Sequence, residues 1–184
     1  MENATTNYRT FLNGDDQGFT QIVEEYKNCL TLYINSYVSN IFIAEDLMEE
    51  TFFKILIKKP KFNEKSSFKT WLYAIARNIA LDYLRKNSNV TVPIENYENS
   101  LVEELTVEQQ YLIKEQKIEL YNAIKNLSSE YRQVLFLVYF ENLSNAQVAS
   151  IMKKSNRQIE NLLYRAKNAL KKHLEKEGFV YEEY

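Results

Sequence analysis

Trp71, Asn78 and Arg85 stand seven residues apart, so at 100° per residue they share one flank of any helix that carries them. An indole offers a stacking surface to an unpaired base, a carboxamide can bond a base edge, and a guanidinium holds a phosphate. The loop and helix start just before them add Lys61, Phe62, Asn63, Lys65 and Lys69. A second group, Arg157, Asn161, Tyr164, Arg165 and Asn168, projects from one side of a later segment. Arg and Asn at such positions can read base edges in the major groove of duplex DNA. Lys153, Lys154, Lys167, Lys171 and Lys172 flank that group and would neutralise phosphates. One set suits unpaired bases and the other suits a duplex. Both are recognition chemistry. The chain has no glycine-rich phosphate loop, and its single Cys and single His exclude a disulfide framework and a zinc set. No enzyme, metal site or cofactor is expected.

The elements that must position these groups are helices. Three Gly and two Pro in 184 residues favour helix over sheet. Phe19, Ile22, Val23, Tyr26, Leu30 and Tyr33 recur at three- and four-residue steps, which predicts an amphipathic helix over 15–38. A second helix is expected from about Ala44 to Lys58, stopped before Pro60 because the residue preceding proline is pushed out of the helical region. Its start is acidic (Glu45, Asp46, Glu49, Glu50) and its end basic (Lys54, Lys58, Lys59), which suits the helix dipole. Ser66 or Ser67 caps a third helix, on which Phe68, Leu72, Ile75, Ile79 and Tyr83 form the inner stripe. The plainer alternative for Trp71, beside that stripe, is packing.

Further helices are expected over 106–126, 128–141, 145–152 and 156–175. Ser144 with Gln147 and Ser155 with Gln158 both fit a reciprocal capping box. Val148, Ala149 and Met152 form one inner face, and Ile159, Leu163, Ala166 and Leu170 fall within about a 60° arc on the next helix. Two capped helices joined by a turn match a helix-turn-helix, although Lys153 stands where a glycine is frequent. A helical hairpin with a solvated basic face is the plainer alternative.

The net charge of −2 hides its distribution. Residues 54–88 hold nine Lys and Arg against Glu64 and Asp82, and residues 153–173 hold seven against Glu160. Between them, residues 89–116 are acidic and contain Pro93. The fold class expected is therefore all-α: two small helical domains joined by a flexible acidic linker, the C-terminal one containing the helix-turn-helix. The boundaries fall at 1–88, 89–113 and 114–184. No apolar run approaches a membrane span and the polar start MENATTNYRT is no signal peptide, so a cytoplasmic protein is expected.

The segments AEDLMEETFFKIL, FNEKSSFKTWLYAIARNIALDYLRK, LSSEYRQVLFLVYFENLSNAQVASIM and LLYRAKNAL span most of the chain. Together they resemble a bacterial extracytoplasmic-function sigma factor, a small specificity subunit of RNA polymerase. The run SSFKTWLYAIARNIALDYLRK is the most specific part. The resemblance implies core RNA polymerase and promoter DNA as partners, with an anti-sigma protein as a further one. It implies docking on the polymerase clamp helices through Asp46, Glu49, Glu50 and Phe52. It gives Lys61, Phe62, Asn63, Lys65, Lys69, Trp71, Asn78 and Arg85 to the melted, single-stranded minus-ten region. Arg157, Gln158, Asn161, Tyr164, Arg165 and Asn168 would read the duplex minus-thirty-five element. Glu160 and Leu162 depart from the family, which usually carries Lys, Ser or Arg there. Beside this reading stand a free-standing helix-turn-helix regulator of duplex sites, which leaves TWLYAIARN unexplained, and a helical interaction protein that touches no nucleic acid.

Overall fold

The computed structural model describes residues 2–87 and 121–176. The expected linker at 89–113 and most of the expected helix at 106–126 lie outside the described residues. Those described form two compact units, and no strand occurs among them.

The first unit has four helices: α1 (Glu2–Leu12), α2 (Asp16–Val38), α3 (Ile41–Lys58) and α4 (Phe68–Asn87). α2 starts where Asp15 accepts the Gln17 N–H at 2.9 Å. It ends where Ser39 takes a left-handed conformation with φ of 53°. α3 begins at Ile41, earlier than expected, because Asn40 is the cap: its side chain accepts the Ile43 N–H at 3.2 Å. It stops at Lys58, as expected before Pro60. On α4 the cap is Ser67, whose hydroxyl accepts the Thr70 N–H at 3.2 Å.

The core of this unit is wider than the expected stripes. Ile22, Tyr26, Leu30 and Tyr33 of α2 are buried, and so are Leu32, Ile34 and Tyr37 around the same helix. On α4 Phe68, Leu72 and Ile79 are buried, joined by Tyr73, Ala76 and Ala80, while Ile75 and Tyr83 are half-buried. α1 was not expected at all. Ala4, Asn7, Tyr8 and Phe11 form its buried stripe, and it packs against α2 and α4. The two helices approach so closely that a Cβ on Gly18 would lie 2.2 Å from the Asn7 carbonyl oxygen. Only glycine fits there.

The second unit contains helical residues at 121–125, α5 (Ser129–Leu135), a π-helical turn over Phe136–Phe140, α6 (Asn145–Met152) and α7 (Asn156–Lys176). The expected helix over 128–141 is thus interrupted by wider winding, in which the Glu141 N–H reaches the Phe136 carbonyl at 3.2 Å. The stacked rings of Phe136 and Phe140, with centroids 5.1 Å apart, lie within that turn. Both capping boxes form as expected. Ser144 N–H donates to Gln147 Oε1 at 2.9 Å and Gln147 N–H returns to Ser144 Oγ at 3.4 Å. Ser155 N–H donates to Gln158 Oε1 at 2.7 Å and Gln158 N–H returns to Ser155 Oγ at 3.2 Å.

α7 packs against α5, and its register differs slightly from expectation. Ile159, Leu162 and Ala166 are buried, whereas Leu163 and Leu170 are half-buried. Leu162 therefore belongs to the core. Its lack of a cation removes nothing from the outer face, and Glu160 alone remains as an exposed departure.

Candidate nucleic-acid and polymerase interfaces

The residues expected to meet the minus-ten region gather around the loop between α3 and α4 and the first turns of α4. Lys61, Asn63 and Lys65 are exposed on the loop, and Lys69 is half-buried at the helix start. Asn63 Oδ1 accepts the Lys65 N–H at 3.2 Å, a side-chain turn spanning Glu64. Asn78 is exposed farther along α4. Arg85 is exposed as well but pairs with Asp82 at 3.0 Å, so part of its charge is already answered.

The rings do not stand free as the sequence suggested. Trp71 is half-buried, with centroids 5.2 Å from Tyr8, 5.3 Å from Phe62 and 5.3 Å from Phe68. Phe62 is half-buried too, edge-on to Phe68 at 5.7 Å. The reason is α1. A lone indole at the surface leaves apolar area in water, and Tyr8 covers part of it. Trp71 is thus a packing residue first, and the stacking surface it can offer is partial. Asn78 and Trp71 share a flank of α4, as their spacing requires.

The residues expected to dock on the polymerase divide. Asp46, Glu49 and Glu50 are exposed on α3. Phe52 is not on that face: it is 5 % exposed, with its ring centroid 6.2 Å from Phe19. Two neighbouring phenylalanines cannot both face outward on a helix, and the outward one is Phe53, at 64 % exposure. With it stand Phe42 at 66 %, Ile57 at 63 % and Leu56 at 37 %. At 100° per residue Phe42, Asp46, Glu49, Phe53, Leu56 and Ile57 fall on one side of α3, opposite Ala44, Thr51 and Ile55 of the core. The sequence reading named Asp46, Glu49, Glu50 and Phe52 and missed this apolar face edged with carboxylates.

On α7, Arg157, Gln158, Asn161, Tyr164, Arg165 and Asn168 are all exposed, so the structure brings the expected duplex-reading set onto one element. Gln158 spends its carbonyl oxygen on the capping box. Arg165 Nε leans back 3.4 Å from the Asn161 carbonyl. The turn before α7 carries Lys153 in the left-handed region with φ of 54°, the conformation that favours glycine. Of the surrounding lysines, Lys154 meets Glu130 at 3.0 Å and Lys171 approaches Glu175 at 4.0 Å. Lys167 lies 5.6 Å from the centroid of the Tyr139 ring. Lys153 and Lys172 are exposed.

No described helix is long and apolar enough to cross a membrane, and among the described residues no cluster of His, Cys, Asp or Glu could hold a metal.

Two family models match the chain, Sigma-70 region 2 over residues 22–90 and Sigma-70 region 4 over residues 117–170. The ECF RNA polymerase sigma-E factor of Haemophilus influenzae is 30% identical over 166 residues, covering 85% of this chain and 87% of the relative. The ECF sigma factor SigW of Bacillus subtilis is 26% identical over 170 residues, covering 88% and 91%. A solved structure of the sigma factor RpoE in complex with the anti-sigma factor NepR from Bartonella quintana superposes with a TM-score of 0.68 at 25% identity. That match covers 85% of this chain and 96% of the other. With an aromatic, basic helix in the first unit and a capped helix-turn-helix in the second, each under its own family model, this chain belongs to the extracytoplasmic-function family of RNA polymerase sigma factors.

Proposed function

We propose that this sigma factor docks on core RNA polymerase through the outer side of α3, with Phe42, Phe53, Leu56 and Ile57 as the apolar centre and Asp46, Glu49 and Glu50 as its acidic edge. The observation that carries the reading is that exposed apolar side. Scattered surface hydrophobics need no explanation, but several large ones on one helix face mark an interaction site. The loop 59–67 and the exposed flank of α4 around Asn78 then receive the unpaired non-template strand of the minus-ten region. The exposed side of α7 reads the minus-thirty-five duplex. Residues 1–88 form the docking and melting module, 114–184 the upstream module, and 89–113 the acidic connection. The setting is the cytoplasm, where an anti-sigma protein is a fitting antagonist.

The subunit makes and breaks no bonds; nucleotide transfer belongs to the polymerase. Its work is energetic. Unstacking a base costs a few kcal/mol, and base contacts on α4 together with docking on polymerase offset that cost. Tethering both modules to one polymerase raises the effective concentration of the second at its DNA site without any new contact.

Phe53→Asp places a charge in the apolar centre and is expected to weaken core-polymerase binding by at least tenfold, with little loss of thermal stability. Phe52→Ala is expected to do the reverse, lowering stability by about 3–5 kcal/mol because it empties a core position. Pull-down with core polymerase and thermal denaturation separate the two effects. Undiminished binding by Phe53→Asp would remove α3 as the docking element.

A further inference from the structure

The α3–α4 loop is held from outside by α1, at three separate points. Tyr8 donates its hydroxyl to the Pro60 carbonyl at 2.6 Å. Arg9 grips Glu64 with two parallel bonds, Nε to Oε1 at 3.1 Å and Nη2 to Oε2. Phe11 lies under the Lys59 ammonium, 4.6 Å from the ring centroid. These partners sit 52 and 55 residues away in sequence for Tyr8 and Arg9, so the contacts are tertiary.

The loop needs holding. Lys59 has φ of 41° and Glu64 has φ of 58°, two non-glycine residues in the left-handed region within one short connection. Each such residue is disfavoured by roughly 1–2 kcal/mol, and such geometry persists only where surrounding contacts over-determine it. Arg9 binds the second of these residues directly. Glu64 is also the single carboxylate among Lys59, Lys61, Lys65 and Lys69, where it would repel a phosphate backbone. The Arg9 guanidinium cancels that charge and stays protonated, its pKa lifted above the ordinary value by the hydrogen bonds it donates to Glu64 and by the carboxylate's charge.

We propose that α1 positions the minus-ten loop: Arg9 through Glu64, and Tyr8 through Pro60, hold residues 60–65 in the conformation that receives an unpaired base. This rests on the reading of that loop as the element that takes up the melted strand. Arg9 and Tyr8 are positioning residues, since they act through the loop. The pair is exposed, so its share of global stability is small. Its effect falls on the loop: an exposed bidentate pair biases a local equilibrium by roughly two- to fivefold.

The test uses holoenzyme reconstituted from the full chain and bacterial core RNA polymerase. Single-stranded non-template oligonucleotides, carrying each of the four bases in turn at the minus-ten positions, are titrated to give the ratio of best to worst base. Arg9→Ala and Glu64→Gln are each expected to lower that ratio by about two- to fivefold, with thermal stability of the free chain nearly unchanged. The doubly swapped chain, Arg9→Glu with Glu64→Arg, is expected to recover it. Glu64→Gln distinguishes positioning from charge, because removing a carboxylate from a basic loop would tighten DNA binding if charge were all that mattered. A wild-type ratio in both single variants, or a swap no better than either, overturns the proposal. Phe62→Ala and Asn63→Ala separate the two levels. If they lower the ratio while the Arg9 variants do not, α1 is not the positioning element. If they too leave the ratio unchanged, the loop does not read the base and both ideas fall.

Discussion

Single side chains in this molecule divide sharply between burial and display, often one position apart. Phe52 fills the core against Phe19 while Phe53 faces outward; Leu162 is buried while Leu163 lies at the boundary. One helical step is 100°, enough to carry a ring from the core to solvent. Tyr8 is the residue with the most distinctive chemistry. Burial pushes its phenol up to about 12 from the ordinary 10.0. The folded chain therefore keeps a proton that the unfolded chain releases above pH 10. This stabilisation is complete below the unfolded value and is lost as pH rises through about 12. Burial raises Tyr33 in the same sense. Tyr8→Phe is expected to flatten part of the fall in thermal stability between pH 10 and 12, as read by circular dichroism melts. An unchanged slope would mean that Tyr8 does not hold its proton in the fold. The exposure of Arg157, Gln158, Asn161, Tyr164, Arg165 and Asn168 on α7, of Lys61 and Lys65 on the loop and of Asn78 was legible from residue type and spacing. Packing was the plainer alternative for Trp71, but what covers it was not legible, because the cover comes from a segment 63 residues upstream, shown by the Tyr8–Trp71 contact.

At the level of elements, the caps were the most readable features. Both S-x-x-Q boxes form with the reciprocal bonds their sequence requires, since capping is local chemistry that no distant contact overrides. α1 escaped notice for the opposite reason. Its first residues are polar, and the stripe Ala4, Asn7, Tyr8, Phe11 has the correct spacing but little hydrophobic weight. What holds α1 down is close approach to α2, made possible by Gly18. Gly18→Ala forces a methyl group to within 2.2 Å of the Asn7 carbonyl oxygen, a backbone atom that cannot swing aside. We expect a loss of about 1–3 kcal/mol in chemical denaturation, together with reduced base discrimination as α1 lifts from the loop it positions. Unaltered stability would show that α1 is only loosely attached. The π-helical turn at Phe136–Phe140 was likewise hidden, because an extra residue in the winding leaves no mark on hydrophobic periodicity.

For the whole molecule, a net charge of −2 is a poor guide, since the chain displays separate basic surfaces on α7 and on the α3–α4 loop. Each surface is small. Several of its cations are already engaged, Lys154 with Glu130 and Arg85 with Asp82 among them, which limits the phosphates either module can neutralise alone. Meanwhile α3 turns a large apolar side to solvent, the area we propose docks on the polymerase. On this proposal DNA recognition is conditional on docking: weak for the free chain, strong once both modules are carried by one larger body. Titration of a promoter fragment selected from a randomised library, by the free chain and by the chain with core RNA polymerase, measures this directly. Sequence-specific binding and promoter opening are expected with polymerase present, and no specific complex for the free chain at micromolar concentration. Specific, tight duplex binding by the chain alone, unaffected by added polymerase, would contradict it.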